Sequence, residues 1–317
     1  MCHQAVTVGK KITKREIYYH DVELFGKQSV VDDIVDDLAA TLKVTRSGLH
    51  VIASPKGMLC GSKISFTLTS GTILSPSPTE ATIIPPGDKI IDVTAREHSF
   101  GWVLVVEKEA IFQTLCDSGL AQSALLSRQG LIITGKGQPD LATRKLLCFL
   151  DSELPDTIPI FLLVDGDPFG LEIVSVYKFG SFRMRHEAAD LICERAELLG
   201  LLKEDLLRFR IPKEVLLPLG DADIRKARTM LHRDRDVMPS AWKSHLTYLL
   251  RLRRKAELEA VSSLDFSTLQ PAFLRDADLL QARPEISVEW NSLRNGPLIV
   301  PYLIAKLSPY LPPIQHT

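Results

Sequence analysis

The chain has 317 residues, 45% hydrophobic and 24% charged, an ordinary globular composition in a chain long enough for two domains. Its formal net charge of −1 excludes a global field that draws in nucleic acid, so any such affinity must come from local patches. Cys2, Cys60, Cys116, Cys148 and Cys193 show no CxxC spacing, which speaks against a zinc site or disulfide framework; with no secretory signal and no bilayer-spanning apolar run, a cytoplasmic or nuclear protein is expected.

Residues 1 to about 14 are short and basic. Arg15-Glu16-Ile17-Tyr18-Tyr19 follows. Of two adjacent tyrosines, one commonly packs and the other lies at the surface. A free tyrosine has a pKa near ~10, so a nucleophilic one needs a cation or a base beside it. Arg15 lies four residues before Tyr19 and three before Tyr18. On a helix it can hold a phosphate beside either hydroxyl, and spacing alone does not choose between them.

Val31, Ile34, Val35, Leu38 and Leu42 recur at helical spacing and predict an amphipathic helix with an acidic outer face. Ser47 can cap a second short helix from Gly48 to about Ala53. The run Leu59 to Leu68 reads as a strand that turns at Thr69-Ser70-Gly71 and pairs back through Thr72-Ile73-Leu74. Helix, turn, helix and hairpin together make a winged helix. Lys56-Gly57 then falls beside a DNA backbone if the second helix enters a groove; without a ligand it is a plain turn. Residues 75–88 hold Pro76, Pro78, Pro85 and Pro86 and read as a linker.

From about Ile90, strands and helices alternate, which predicts an α/β region with a mainly parallel sheet. Trp102–Val106 is an apolar strand ending in Glu107. Leu131–Thr134 ends in Gly135-Lys136-Gly137, a weak phosphate-loop signal. Ile160–Val164 ends in Asp165-Gly166-Asp167-Pro168, with Pro168 at the first turn of the next helix. Open α/β sheets hold ligands at the carboxyl ends of their strands. Alone, the Asp-x-Asp turn is as readily a solvated loop, and Glu107 a first-turn glutamate favoured by the helix dipole. If the two strands are neighbours, Glu107, Asp165 and Asp167 converge, and three unpaired carboxylates call for a cation. Oxygen-only ligands suit Mg²⁺. Further on, helices are expected over Glu187–Leu202, Ala222–His232 and Pro239–Val261, with the basic run Arg251–Lys255 on a helix face; Ser287–Tyr310 reads as a docking tail, and His98, His186, His232 and His245 as structural.

Taken in order, Arg15-Glu16-Ile17-Tyr18-Tyr19, Val31-Asp32-Asp33, Lys56-Gly57, Val106-Glu107-Lys108, Thr134-Gly135-Lys136-Gly137-Gln138-Pro139-Asp140-Leu141, Asp165-Gly166-Asp167-Pro168-Phe169-Gly170, Trp242 and Lys255-Ala256-Glu257-Leu258 resemble the motifs of the topoisomerase VI A-subunit family, and more closely its eukaryotic meiotic branch. The resemblance runs from about residue 10 to about residue 270. It implies an α/β chain, α+β overall: a winged helix (1–75) with a first helix absent or short, a linker (76–89), and a Toprim domain (90–317) with a Rossmann-like sheet and a C-terminal helical extension. By resemblance, Tyr19 is the nucleophile and Arg15 its phosphate-facing neighbour. Glu107, Asp165 and Asp167 bind Mg²⁺, and Lys56 and Lys136 lie near DNA. The family implies a nuclear homodimer with composite active sites that breaks duplex DNA through a 5′-phosphotyrosyl link in meiotic recombination, with a B-type partner and accessory proteins. A topoisomerase VI A subunit with an ATP-hydrolysing B subunit, and a DNA-binding homologue without cleavage, are the alternatives. The chain has no Walker-type loop, so ATP would come through a partner.

Overall fold

A computed structural model describes residues 1–46, 48–52, 56–96, 98–180, 191–234, 236–264 and 296–311. The N-terminal unit opens with helix α1 (Cys2–Val8), seven residues closed by Gly9 at φ 71°. Strand β1 (Ile12–Thr13) leads into α2 (Lys14–His20), α3 (Val22–Phe25), α4 (Gln28–Leu42) and β2 (Val51–Ile52), which pairs in parallel with β1. Thr13 starts α2 with a capping box. Its side chain accepts from Glu16 N–H, and the Glu16 carboxylate accepts from Thr13 N–H, satisfying two donors the helix cannot use. Ile17, Val31, Val35, Ala39, Leu49 and Val51 form the core of this unit. On α4 the half-buried Asp36 pairs with Lys14 and Arg46, while Asp33 and Asp37 lie on the exposed face.

The second helix expected over Gly48–Ala53 is corrected: residues 48–50 are a turn and 51–52 a strand. Val51 is β-branched and buried, and a β-branched residue favours a strand place beside Ile12 over a short helix. Residues 47 and 53 lie outside the described residues.

The expected single wing strand divides in two. Strand β3 (Met58–Gly61) joins the large sheet, antiparallel to β9, whereas β4 (Ile64–Leu68) pairs with β5 (Ile73–Leu74) and β7 (Ile90–Ala95). Between them Lys63 takes a left-handed conformation, φ 62°. The proline-rich stretch expected as a linker runs along the sheet instead. Within it, β6 (Thr82–Ile83) pairs with β3, Ile84 is fully buried, and Gly61 N–H donates to the Ser77 carbonyl. Prolines cost an edge segment nothing, because no further strand needs their missing N–H. Strands on both sides of position 75 thus share sheets.

The rest alternates: β8 (Phe100–Val106), α5 (Glu109–Asp117), β9 (Gln129–Thr134), α6 (Leu141–Glu153), β10 (Ile160–Leu163), α7 (Pro168–Phe179), β11 (Glu197–Gly200), α8 (Lys203–Arg208), β12 (Leu217–Pro218), α9 (Asp221–Leu231), α10 (Ser240–Leu252), β13 (Arg254–Lys255), α11 (Leu258–Ser262) and α12 (Ile299–Leu307). The large sheet has the order β11-β10-β8-β9-β3-β6. Its first four strands are parallel. All seven residues of β8 are buried, as a central parallel strand covered on both faces requires. Alternate residues feed two cores. Leu104 and Val106 meet Phe112, Leu115 and Leu303 on one side; Val103 and Val105 meet Leu146, Leu150 and Val174 on the other.

Two late expectations are corrected. Residues 191–200 end in strand β11, not a helix, because Leu198 fills the slot beside Leu162; a short apolar run does not distinguish the two by periodicity. Residues 187–190 lie outside the described residues. Helix α10 stops at Leu252, where Arg253 turns left-handed at φ 56°, so the basic run Arg251–Lys255 crosses a helix end into β13. The docking-tail reading agrees with the structure over α12, a helix buried in the same core as Leu104 and Val106; residues 287–295 lie outside the described residues.

His245 on α10 is structural, as expected. It is buried, and its Nδ1 accepts from Lys203 N–H at 3.0 Å. Burial pushes its pKa down to about 4, against the opposing pull of Glu204 and the Gly166 backbone. The neutral ring is the folded form, so its contribution is complete above the unfolded pKa near ~6.5 and is lost as pH falls toward the folded value. Denaturant titrations at pH 7 and pH 4.5 should show His245→Gln losing less stability on acidification than the parent, by on the order of 2–3 kcal/mol. Equal losses in the two proteins would refute the assignment.

Candidate active site

Two parallel strands bring the acids to one edge. Val106 of β8 is level with Leu163 of β10, and Glu107 N–H donates to the Leu163 carbonyl at 3.0 Å. The Glu107 Oε2 accepts from Asp165 N–H at 3.0 Å. Asp167 caps α7, with Oδ1 accepting from Phe169 N–H at 2.9 Å and Gly170 N–H at 2.8 Å. Gly170 is required there: a Cβ would sit 2.4 Å from the Asp165 carbonyl oxygen. The neighbour condition set by the sequence is met, and Glu107, Asp165 and Asp167 share one strand edge.

The carboxylates are not unpaired, which corrects the sequence argument. Gly166 bridges to Ala256 and draws residues 255–258 against the acidic turn. Leu258 N–H donates to Asp165 Oδ1 at 2.8 Å, while Lys108 Nζ lies 3.0 Å from Asp165 Oδ2. Lys255 Nζ lies 3.1 Å from Asp167 Oδ2 and 3.4 Å from Asp223. Lys108 also meets Glu257 and Glu259. Among the described residues, no group of three or more His, Cys, Asp or Glu side chains could hold a metal ion as they stand. The sequence reasoning missed Lys108 and Lys255 as counter-ions; the signal for Lys108 was its place beside Glu107, whereas the contact of Lys255 depends on the long-range bridge.

The donor chemistry nonetheless fits a hard divalent cation. It is all oxygen, and the acids carry a charge load. Burial, then the negative charge of Asp165, pushes the Glu107 pKa up to about 7. Burial pushes Asp165 up to about 6, although Leu258 N–H and Lys108 oppose it. Burial acts against the Lys108 ammonium, but its bonds to Glu259 and Asp165 outweigh this and hold its pKa above the usual lysine range. A cation beside these carboxylates relieves the same load.

The two lysines meet at the same edge. Lys136 follows β9 with φ 54°. Gly137 N–H donates to the Glu107 carbonyl at 2.8 Å, and Lys136 Nζ pairs with Glu109 at 2.7 Å. Lys56 Nζ reaches the Lys136 carbonyl at 2.9 Å. Burial lowers its pKa, with Asp140 opposing and Lys136 adding to the effect.

Tyr19 stands apart, in the N-terminal unit. It is 70% exposed at the end of α2, while Tyr18 packs partly against that unit's core. Their rings lie 5.4 Å apart. Arg15 is exposed one turn before Tyr19. Among the described residues, no hydrogen bond or ion pair joins Tyr19 or Arg15 to the acids.

A parallel sheet whose strands end in Glu107 and in Asp165-Gly166-Asp167 has the arrangement of a Toprim-type domain. Residues 102–277 match the Toprim domain of the topoisomerase 6 A subunit and Spo11, and residues 1–51 match the type IIB DNA topoisomerase N-terminal pattern. The chain is 37% identical over 276 residues to the A3 subunit of DNA topoisomerase 6 from Oryza sativa subsp. indica, covering 86% of this chain and 60% of that protein. It is 36% identical to meiotic recombination protein SPO11 of Mus musculus (86% and 67% covered) and 38% identical to meiotic recombination protein rec12 of Schizosaccharomyces pombe (87% and 74% covered). The chain belongs to the family of the topoisomerase 6 A subunit and Spo11. It spans about 60% of the length of its rice relative. The Toprim domain is generally a metal-binding domain. Among the described residues no helix is long and apolar enough to cross a membrane.

Proposed function

We propose that the chain cleaves duplex DNA by tyrosine transesterification. The Tyr19 oxygen attacks a backbone phosphorus, the bond to the 3′ oxygen breaks, and a 5′-phosphotyrosyl link and a 3′ hydroxyl result. The phenolic proton passes to water and the leaving 3′ oxygen takes one up, so the step balances without a redox partner. One phosphoester replaces another, which makes the step reversible. The observation that carries the reading is the exposed Tyr19 hydroxyl one helical turn from Arg15, in a unit separate from the acidic edge. Arg15 holds the phosphate through charge-assisted bonds. Glu107, Asp165 and Asp167 would hold Mg²⁺, whose charge would stabilise the phosphate and the leaving oxygen when bound. Lys56 and Lys136 hold the flanking backbone.

Because Tyr19 and the acids belong to separate units, the working site forms between two protomers, each supplying a tyrosine to its partner's acids. Two such sites cut both strands. The SPO11 and rec12 relatives favour break formation in meiotic recombination, in the nucleus and with accessory proteins. The topoisomerase 6 relative favours a second reading, in which a B-type ATPase partner turns the same cleavage into strand passage and resealing. A duplex labelled at its 3′ ends and incubated with Mg²⁺ should, once its strands are separated, carry denaturant-resistant protein on the labelled strand, and chelation beforehand should abolish it. Protein linked to the 3′ side, or adduct indifferent to chelation, would refute the mechanism.

A further inference from the structure

One side chain receives the segment that leaves the N-terminal unit. Asp140 sits before α6, and its Oδ1 accepts from Thr143 N–H at 2.8 Å and from the Thr143 hydroxyl at 2.7 Å. Its Oδ2 accepts from Lys56 N–H at 2.6 Å and from Gly57 N–H at 3.2 Å. One carboxylate therefore joins a helix start to backbone more than 80 residues earlier. It holds the backbone of Lys56 and leaves the ammonium to another partner.

That division of bonds fixes where the ammonium goes. With its N–H tied to Asp140, Lys56 extends to the Lys136 carbonyl, 2.9 Å from Nζ. Gly57 allows the approach: a Cβ there would lie 2.1 Å from Thr143 Oγ1 and 3.1 Å from the Thr134 carbonyl. The Lys136 loop is itself fastened to Glu107 through Gly137 N–H. Bonds from backbone N–H groups to an ionised carboxylate are about twice as strong as neutral ones. The chain from Asp140 through Lys56 and Lys136 to Glu107 therefore makes one connected platform.

We propose that Asp140 is a positioning residue that presents Lys56 and Lys136 as one phosphate-binding pair for duplex DNA beside Glu107. This rests on the reading of both lysines as DNA contacts. Asp140 touches no phosphate itself. It acts by fixing the main chain from which Lys56 projects.

The test compares the full chain with Asp140→Asn, Lys56→Ala and the double variant, binding a short uncleaved duplex across a salt series. Removing one phosphate neutralisation lowers the slope of log affinity against log salt by about 0.9. Lys56→Ala should show that drop with a several-fold weaker affinity, and Asp140→Asn should reproduce it. The double variant should match the single ones, because both remove the same interaction. A slope unchanged in Asp140→Asn but lowered in Lys56→Ala overturns the proposal and leaves the DNA reading intact. A slope unchanged in Lys56→Ala refutes the DNA reading of Lys56, and the proposal with it. Should Asp140→Asn fail to fold, Asp140→Ser retains a helix cap yet is too short to reach Lys56 and Gly57. Hydrogen exchange without DNA should then accelerate at the Lys56 and Gly57 amides, and unchanged protection there overturns the proposal.

Discussion

Replacing Tyr19 by Phe should abolish covalent protein–DNA product while leaving DNA binding in place. The ring stays and only the hydroxyl goes. At 70% exposure the side chain contributes little packing, and exposed substitutions of this kind stay within about ±0.5 kcal/mol of stability. The chemistry has no substitute, since Phe carries no nucleophilic oxygen, so adduct should fall by more than ~10³-fold, to assay background. Tyr18→Phe is the matched control. Tyr18 is half-buried against the core of Ile17, Val31 and Val35, so losing its hydroxyl should leave substantial product. Trapping adducts from both variants with Mg²⁺ present decides the matter. Normal product from Tyr19→Phe with none from Tyr18→Phe would reverse the roles, and loss of DNA binding in Tyr19→Phe would make that residue structural.

The sheet that carries the acids was legible because burial on both faces writes a continuous apolar run, and each run ends where its chemistry begins. Trp102–Val106 before Glu107 and Ile160–Val164 before Asp165 are such cases, and both strands stand side by side. The tyrosine helix was legible from Arg15 and its neighbours, although nothing in the spacing chose between two adjacent hydroxyls; their difference in exposure comes from the core behind Tyr18. The pairing of Asp165 with Lys108 and of Asp167 with Lys255 was not legible, because it depends on the bridge between Gly166 and Ala256, 90 residues apart. The splitting of residues 58–68 between two sheets was hidden for a similar reason. A run of apolar residues does not say which partner strand it will meet, and the left-handed Lys63 between the two strands is an ordinary lysine in the sequence. Proline content likewise suggested a linker where the chain makes a sheet edge.

Mixing two inactive variants should restore cleavage on one strand. In a composite site the tyrosine of one protomer works with the acids of the other. Tyr19→Phe removes the first part and leaves the acids. Glu107→Gln removes a charge from the acid edge, and its amide oxygen can still accept from Asp165 N–H as Oε2 does at 3.0 Å, so the turn keeps its shape. Each variant alone should be silent. A mixed dimer holds one site with both defects and one with neither. Random pairing of equal amounts makes half the dimers mixed, so adduct should return to about one quarter of the unmodified level. The product should be a nick, not a double-strand break. It should also be attached only to the Glu107→Gln protomer, whose tyrosine meets its partner's intact acids; distinguishing the two chains by a size tag reads this directly. Were Tyr19 and Glu107 of one chain to work together, every dimer in the mixture would hold only defective sites, and no adduct would appear at any ratio.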